Sequence, residues 1–182
     1  MLKGWQHFKT ITHHRILVCK KCFKVGLIWQ GLTHDLSKYS YTEFRVGAKY
    51  YQGHRSPNAA EREDIGFSTA WLHHKGRNKH HFEYWIDFGV VDGKIDVITC
   101  PIPKKYLVEM VMDRIAASMV YLGDKYTDAS ALAYFKREKD LGNNLIHPDT
   151  EKDLVMILEM LAEKGEKETF KFIKKYLKDK TE

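Results

Sequence analysis

Leu32-Thr33-His34-Asp35-Leu36-Ser37-Lys38 closes an apolar, helix-compatible run with an imidazole and a carboxylate side by side. Neutral imidazole plus carboxylate is a mixed nitrogen and oxygen donor set that suits zinc, manganese, iron, cobalt or nickel. If both residues lie on a helix they point about 100° apart, so a long His and a short Asp reach one ion only from either flank. The pair gains meaning from its company: His14 upstream, His73-His74 and His80-His81 downstream, and Asp113 further on. Of the ten histidines in 182 residues, most fall in or beside this set, which makes metal binding the chemistry to pursue.

Bulk properties set the frame. The length suits one domain with a real core, and no stretch approaches the roughly twenty apolar residues of a membrane span. The start, Met1-Leu2-Lys3-Gly4-Trp5-Gln6-His7, lacks a charged segment followed by an apolar one and a cleavage site, so export is not expected. Three cysteines, an odd count, fit a reducing cytoplasm better than a disulfide framework. The net charge of +6 is a modest basic excess, concentrated in 20–24 and 171–180. It reads first as a solvated face, then as a surface for acidic substrates such as phosphates, and argues only weakly for nucleic acid.

Working outward, Ile11 to Gly26 reads as a helix whose stripe Ile11, His14, Val18, Cys22 and Val25 faces inward, with His13 on the wetter side. Cys19-Lys20-Lys21-Cys22 has CxxC spacing but no second such pair, so it reads as packing. A second helix is expected over 27–38, carrying His34 and Asp35 at its end. Ser40-Tyr41-Thr42-Glu43 has capping-box form and opens a third, which Gly53 can end. Ser56-Pro57 starts a helix through Lys75, and Gly76-Arg77-Asn78 breaks it. Asp92-Gly93 sits at the turn of a hairpin within 89–99, the one β element expected. Pro101 and Pro103 set up a helix to Leu122, stopped by Gly123, with Asp113 inside the apolar stripe of Tyr106, Met110, Ala117 and Val120. A buried carboxylate there needs a cation, either an arginine such as Arg15 or a metal. Thr127–Lys139 is a further helix and Asn143-Asn144 a turn. Asp149-Thr150 caps a helix to Lys164, Gly165 ends it, and 166–178 forms the last.

The order His14, His34-Asp35, Asp113 resembles the HD-domain superfamily of metal-dependent phosphohydrolases, a helical bundle whose H…HD…D ligands converge on one divalent ion. The resemblance implies a mainly α, HD-like bundle over residues 1–182 with one small β-hairpin, the C-terminal helices of about 149–179 packing on it. It assigns the four ligand roles to His14, His34, Asp35 and Asp113. The later histidines look like the extra ligands of members that hold two or more ions bridged by the HD aspartate. His-Asp-Leu-Ser-Lys is also similar to the H-D-x-x-K of the cyclic-dinucleotide phosphodiesterase branch, with Lys38 in the lysine position. That branch's later G-Y-P signature is absent. More closely, His34-Asp35-Leu36-Ser37-Lys38-Tyr39-Ser40 and the run from Trp71 to Trp85 resemble a small bacterial family of uncharacterised proteins.

With one ion on His14, His34, Asp35 and Asp113, the second-ion ligands are His74 and His81, with His73, His80 and His54 as alternates there and His13 as a further alternate metal ligand. Asp35 could bridge the ions and activate water for attack on a phosphate ester such as a nucleotide. Arg55, Lys75, Arg77, Asn78 and Lys79 are the candidate substrate-binding residues, Lys38 a catalytic cation, and Glu83 the proton donor to a leaving group. The implied partner is a small phosphorylated substrate, with a homodimer left open. Two other readings use the same residues. One is an HD-fold di-iron oxygenase of a small polyol or phosphonate, and the other a non-enzymatic protein with a structural metal.

Overall fold

The computed structural model describes residues 2–142 and 145–179. Among them are eight α-helices and one two-stranded antiparallel sheet, so the chain is mainly α with a small β-hairpin. The Asn143-Asn144 turn lies outside the described residues. No helix among the described residues is long and apolar enough to cross a membrane.

Helix α1 spans Leu2–Val25, beginning well before the expected Ile11. Its buried stripe continues backward from Ile11 to His7, because the His7 ring packs against Phe44 and Tyr51 and on α3 (Tyr41–Lys49) at Gly47. Helix α2 covers only Ile28–Thr33. The expected continuation to Lys38 fails: His34 is extended and Asp35 is left-handed at φ 52, before a short 3-10 turn over Leu36–Tyr39. An aspartate tolerates that region better than most residues.

Helix α3 is capped by the Ser40 hydroxyl, which accepts from the Glu43 N–H, and it ends at Lys49 rather than near Gly53. The single helix expected from Pro57 to Lys75 is two: α4 (Pro57–Ile65) and α5 (Thr69–Lys75). Gly66 ends α4 at φ 85, a left-handed stop that glycine supplies cheaply, and Ser68 caps α5 by accepting from Trp71 N–H. Glu61 accepts from the hydroxyls of Ser68 and Thr69, which fastens the start of α5 to α4.

Strands β1 (Ile86–Val91) and β2 (Lys94–Thr99) pair as expected around Asp92 and Gly93, both at positive φ, the geometry of a two-residue hairpin turn. Helix α6 (Lys104–Leu122) stops at Gly123, and α7 runs over Ser130–Asp140. Helix α8 (Pro148–Tyr176) breaks its helical geometry at Gly165, as the sequence suggests. Its cap, however, is His147, whose ring accepts from Asp149 N–H. Thr150 faces inward and accepts from Ile102 N–H instead.

Helix α6 lies at the centre, with Leu107, Val108, Val111, Met112 and Ile115 buried against Val18 and Cys22 of α1 and Leu154, Ile157, Leu158 and Leu161 of α8. Each such side chain contributes about 1.5–3 kcal/mol on burial. Lys21 and Lys24 of α1 clamp Glu166 beyond the Gly165 break. This packing fixes α1 against α6, and the same inward stripe of α1, continued toward its N-terminus, carries His14 to Asp113 of α6.

Candidate metal centre

Six chain segments deliver polar side chains to one place: α1, the α2–α3 connection, α3, α5, the segment after α5, and α6. From α1 comes His14, whose Nε2 is 2.8 Å from Asp113 Oδ1 and 3.9 Å from Asp35 Oδ2. His34 Nε2 is 3.3 Å from Asp35 Oδ2 and 3.5 Å from Asp113 Oδ1. The left-handed Asp35 explains how neighbours in sequence serve one point: leaving the helix turns both side chains inward. On the other side of the carboxylate, Asp35 Oδ1 is 3.2 Å from His74 Nε2 and 3.5 Å from His80 Nε2, and His74 Nε2 is 2.9 Å from His81 Nε2.

Two groups therefore share Asp35: His14, His34, Asp35 and Asp113, and Asp35, His74, His80 and His81. Donor atoms about 2.1 Å from a common ion at angles between about 90° and 110° stand roughly 3.0–3.4 Å apart, close to most of these separations. His14 Nε2, His34 Nε2, His80 Nε2 and both Asp35 oxygens are buried and lack a well-aligned hydrogen bond, their close neighbours being one another, Asp113 Oδ1 and Lys38 Nζ. Buried polar atoms are ordinarily paired, and most of the unpaired ones here converge, His7 Nδ1, Glu83 Oε2 and Arg114 Nε being outside both groups.

The far nitrogens are held. Glu109 Oε1 accepts from His34 Nδ1–H at 3.0 Å and faces His80 Nδ1 at 3.2 Å. Glu43 accepts from His74 Nδ1–H at 2.8 Å and from His73 Nδ1–H at 2.6 Å. A proton kept on Nδ1 leaves the Nε2 lone pair pointing inward, the arrangement that metal-bound histidines use. Neither glutamate is among the residues expected for the site. Glu43 completes no capping box, because its side chain leaves α3 for the histidines. Glu109 precedes Asp113 by four residues, on the same helix face, and that spacing is the signal that could have found it.

The electrostatics ask for cations. Burial alone would raise Asp35, but His34, Lys38 and His74 hold its carboxyl well below the ordinary range. Asp113 is held well below in the same way by His14 and His34. Burial would lower His34, and Asp35 with Asp113 and Glu109 outweighs it and pushes His34 well up. His81 is pushed well down by burial and by the charges of His80 and His74. Asp35, Asp113, Glu43 and Glu109 thus bring four carboxylates together around Lys38, whose Nζ is 2.5 Å from Asp35 Oδ2, and favour the cationic forms of His34 and His74. Removing charges from water is costly unless opposite charge compensates them, and divalent ions would. The donor set fits one or two of them.

The remaining expected residues divide. His73 is bound to Glu43 and stands outside both groups, whereas His80 and His81 both belong; the segment that carries them is not helical, so neighbours can converge. His13 is exposed on α1, and His54 is exposed with its Nδ1 on Gln52 O. Arg15 donates to the carbonyls of His34 and Leu32, and Arg114 pairs with Glu138, so neither neutralises Asp113. Arg55 is occupied by Glu63 and Gln52. Arg77 donates to His73 O, and Lys79 lies over the Tyr84 and Tyr106 rings. Asn78 bonds Ser37 Oγ and His74 O, which ties the loop to the centre. The Glu83 carboxyl is pushed up by burial against the pull of Arg114 and Lys75, and it belongs to neither ligand group.

A family model described as a family of unknown function, DUF5662, matches residues 3–160, which include every residue of both groups. No curated protein matches the chain, and no solved structure does.

Proposed function

Because the chain belongs to the DUF5662 family, whose description assigns no activity, we propose from its own residues that it is a metal-dependent hydrolase of a phosphate ester with an HD-type centre. The observation that supports this best is Asp35, a fully buried carboxylate whose two oxygens face separate ligand groups, Oδ1 toward His74 and His80 and Oδ2 toward His14 and His34, with Lys38 beside Oδ2. His14, His34, Asp35 and Asp113 would hold one divalent transition-metal ion, and Asp35, His74, His80 and His81 a second. Ions of this kind supply Lewis acidity toward phosphoryl oxygens and acidify water at neutral pH.

The chain's own residues do the rest. Burial alone would lower Lys38, but Asp35 and Asp113 overcome it and hold the ammonium up. Lys38 therefore stays charged and can bind an equatorial phosphoryl oxygen. Glu109 and Glu43 keep the Nδ1 protons in place, so the inward nitrogens do not drift to the wrong tautomer. His34, His74 and His80, buried on every side, close the centre away from its open face and keep bulk water out. All the ligands come from one chain, so the reading requires no partner subunit. The substrate it assigns is a small phosphorylated molecule. With Cys19, Cys22 and Cys100 all unpaired, the compartment it assigns is the reducing cytoplasm.

The test is elemental analysis of the purified protein beside phosphate release from p-nitrophenyl phosphate, for wild type and Asp35→Asn. Expected are bound transition metal, release that stops on chelation, and loss of both in Asp35→Asn. Full metal content in Asp35→Asn would sink the assignment. Two irons with oxygen uptake and no phosphate release would replace hydrolysis by the oxygenase reading.

A further inference from the structure

The two ligand groups are not equally covered, and each has one partly exposed member, Asp113 in the first and His81 in the second. The side chains of His34, Asp35, His74 and His80 are at most 2 % exposed, whereas Asp113 is 16 % and Lys38 29 % exposed. The side of Asp113 and Lys38, where the one nearby ammonium is also the most exposed of these groups, is therefore the approach that suits an anionic substrate. On the same side of α1 and α6 is a cavity of ≈ 380 Å³ lined by Gln6, Lys9, Thr10 and His13 of α1, by Tyr51 and Gly53, and by Val120 of α6.

Helix geometry places this cavity next to the centre. Val120 lies two turns beyond Asp113 on the same face of α6, roughly 10 Å along the axis, and Thr10 lies one turn before His14 on α1. Tyr121, the neighbour of Val120, feels the charges of Lys38 and Asp113 at the centre and of Tyr51 in the cavity wall, so it is close to both. The Thr10 hydroxyl is 2.8 Å from the Tyr51 hydroxyl, which joins the α1 wall to the loop wall.

We propose, resting on the hydrolase reading, that this groove holds the body of the substrate and selects a hydroxylated, anionic molecule of the sugar-phosphate or polyol-phosphate class. The lining argues for that class. It offers an amide, an ammonium, an imidazole and two hydroxyls, it contains no carboxylate, and only Val120 is aliphatic. Groups that both donate and accept match a chain of hydroxyls, and Lys9 adds attraction for an anion. A nucleobase would want a flat, largely apolar slot, which these side chains do not form.

Calorimetric titration of the metal-containing protein tests this with three phosphonates that cannot be hydrolysed at phosphorus: methylphosphonate, and the phosphonate isosteres of ribose 5-phosphate and of AMP. The ribose compound is expected to bind at least about tenfold tighter than methylphosphonate, with the AMP compound within about twofold of it. Thr10→Val and Gln6→Ala should each weaken the ribose compound by about two- to tenfold, the loss expected of one hydrogen bond, and leave methylphosphonate unchanged. Thr10→Ser, which keeps the hydroxyl, should restore binding. Equal affinity for the ribose compound and methylphosphonate, indifference to Gln6→Ala and Thr10→Val, or a tenfold advantage of the AMP compound would each overturn the proposal. Binding as expected without phosphate release from ribose 5-phosphate would instead overturn the hydrolase reading and leave the groove assignment standing.

Discussion

Glu109 Oε1 lies 3.0 Å from His34 Nδ1, with both side chains almost wholly buried. The same oxygen faces His80 Nδ1 at 3.2 Å, so one carboxylate steadies a histidine of each ligand group. Glu43, by contrast, reaches only His74 and the non-ligand His73.

The two glutamates should therefore fail differently. Glu109→Gln is expected to weaken both ions, by about 10- to 100-fold each, and Glu43→Gln only the ion held by His74. Metal content after dialysis against a graded chelator reads this out. Glu43→Gln should keep one equivalent where Glu109→Gln keeps less, and identical retention by both variants would contradict the assignment.

Stripping the metal should destabilise the fold, because the ions bind only the folded arrangement. At a free metal concentration of 1,000 times Kd the linkage contributes about 4 kcal/mol, or roughly 8–16 °C in Tm for a chain of this size. Calorimetry with and without chelator measures it. An unchanged Tm would argue against a bound ion at the centre.

Gly47 on α3 lets α1 approach closely. A Cβ there would stand 2.2 Å from His7 Nε2, and the buried His7 ring has little room to yield. Gly47→Ala should cost about 1–3 kcal/mol through overpacking, despite alanine's better helix propensity, and leave metal content unchanged. His7→Ala combined with Gly47→Ala should recover part of the loss in denaturant unfolding. Additive losses would remove this contact as the cause.

His7 also gives a pH dependence away from the ligands. Burial first, then the charge of Lys38, lowers its pKa from 6.5 to about 4. The unfolded chain therefore binds the proton more tightly than the folded one. Stability is undiminished above about pH 6.5, falls as the pH drops toward about 4, and is flat below. The slope stays under the ~1.4 kcal/mol per pH unit that one full proton sets. The check is the difference between wild type and His7→Leu over pH 7 to 4.5, which cancels the ligand titrations common to both. A pH-independent difference would refute the shift.

How far the sequence could be read depended on how local each signal was. The hairpin turn at Asp92-Gly93, the stop at Gly123 and the break at Gly165 are written in single residues, and the structure has all three. The apolar stripe of α1 was legible because period 3.6 reports burial directly, yet its start was not. The extension from Ile11 back through His7 rests on a polar ring packed against α3. Gly66 was passed over within the Pro57–Lys75 run, since a lone glycine in a helical pattern is often tolerated.

By itself, then, the sequence determined a helical chain with one hairpin and the histidines and aspartates from which a metal centre could be made. Their order in the chain could not say which of them meet. Only tertiary packing brought Asp113 within 3.5 Å of His34, left His73 outside while admitting both His80 and His81, and set Glu109 and Glu43 behind the ligands. Periodicity is a property of neighbours along one helix. Convergence on Asp35 depends instead on a left-handed residue at a helix end and on distances across six separate segments, which no local pattern encodes.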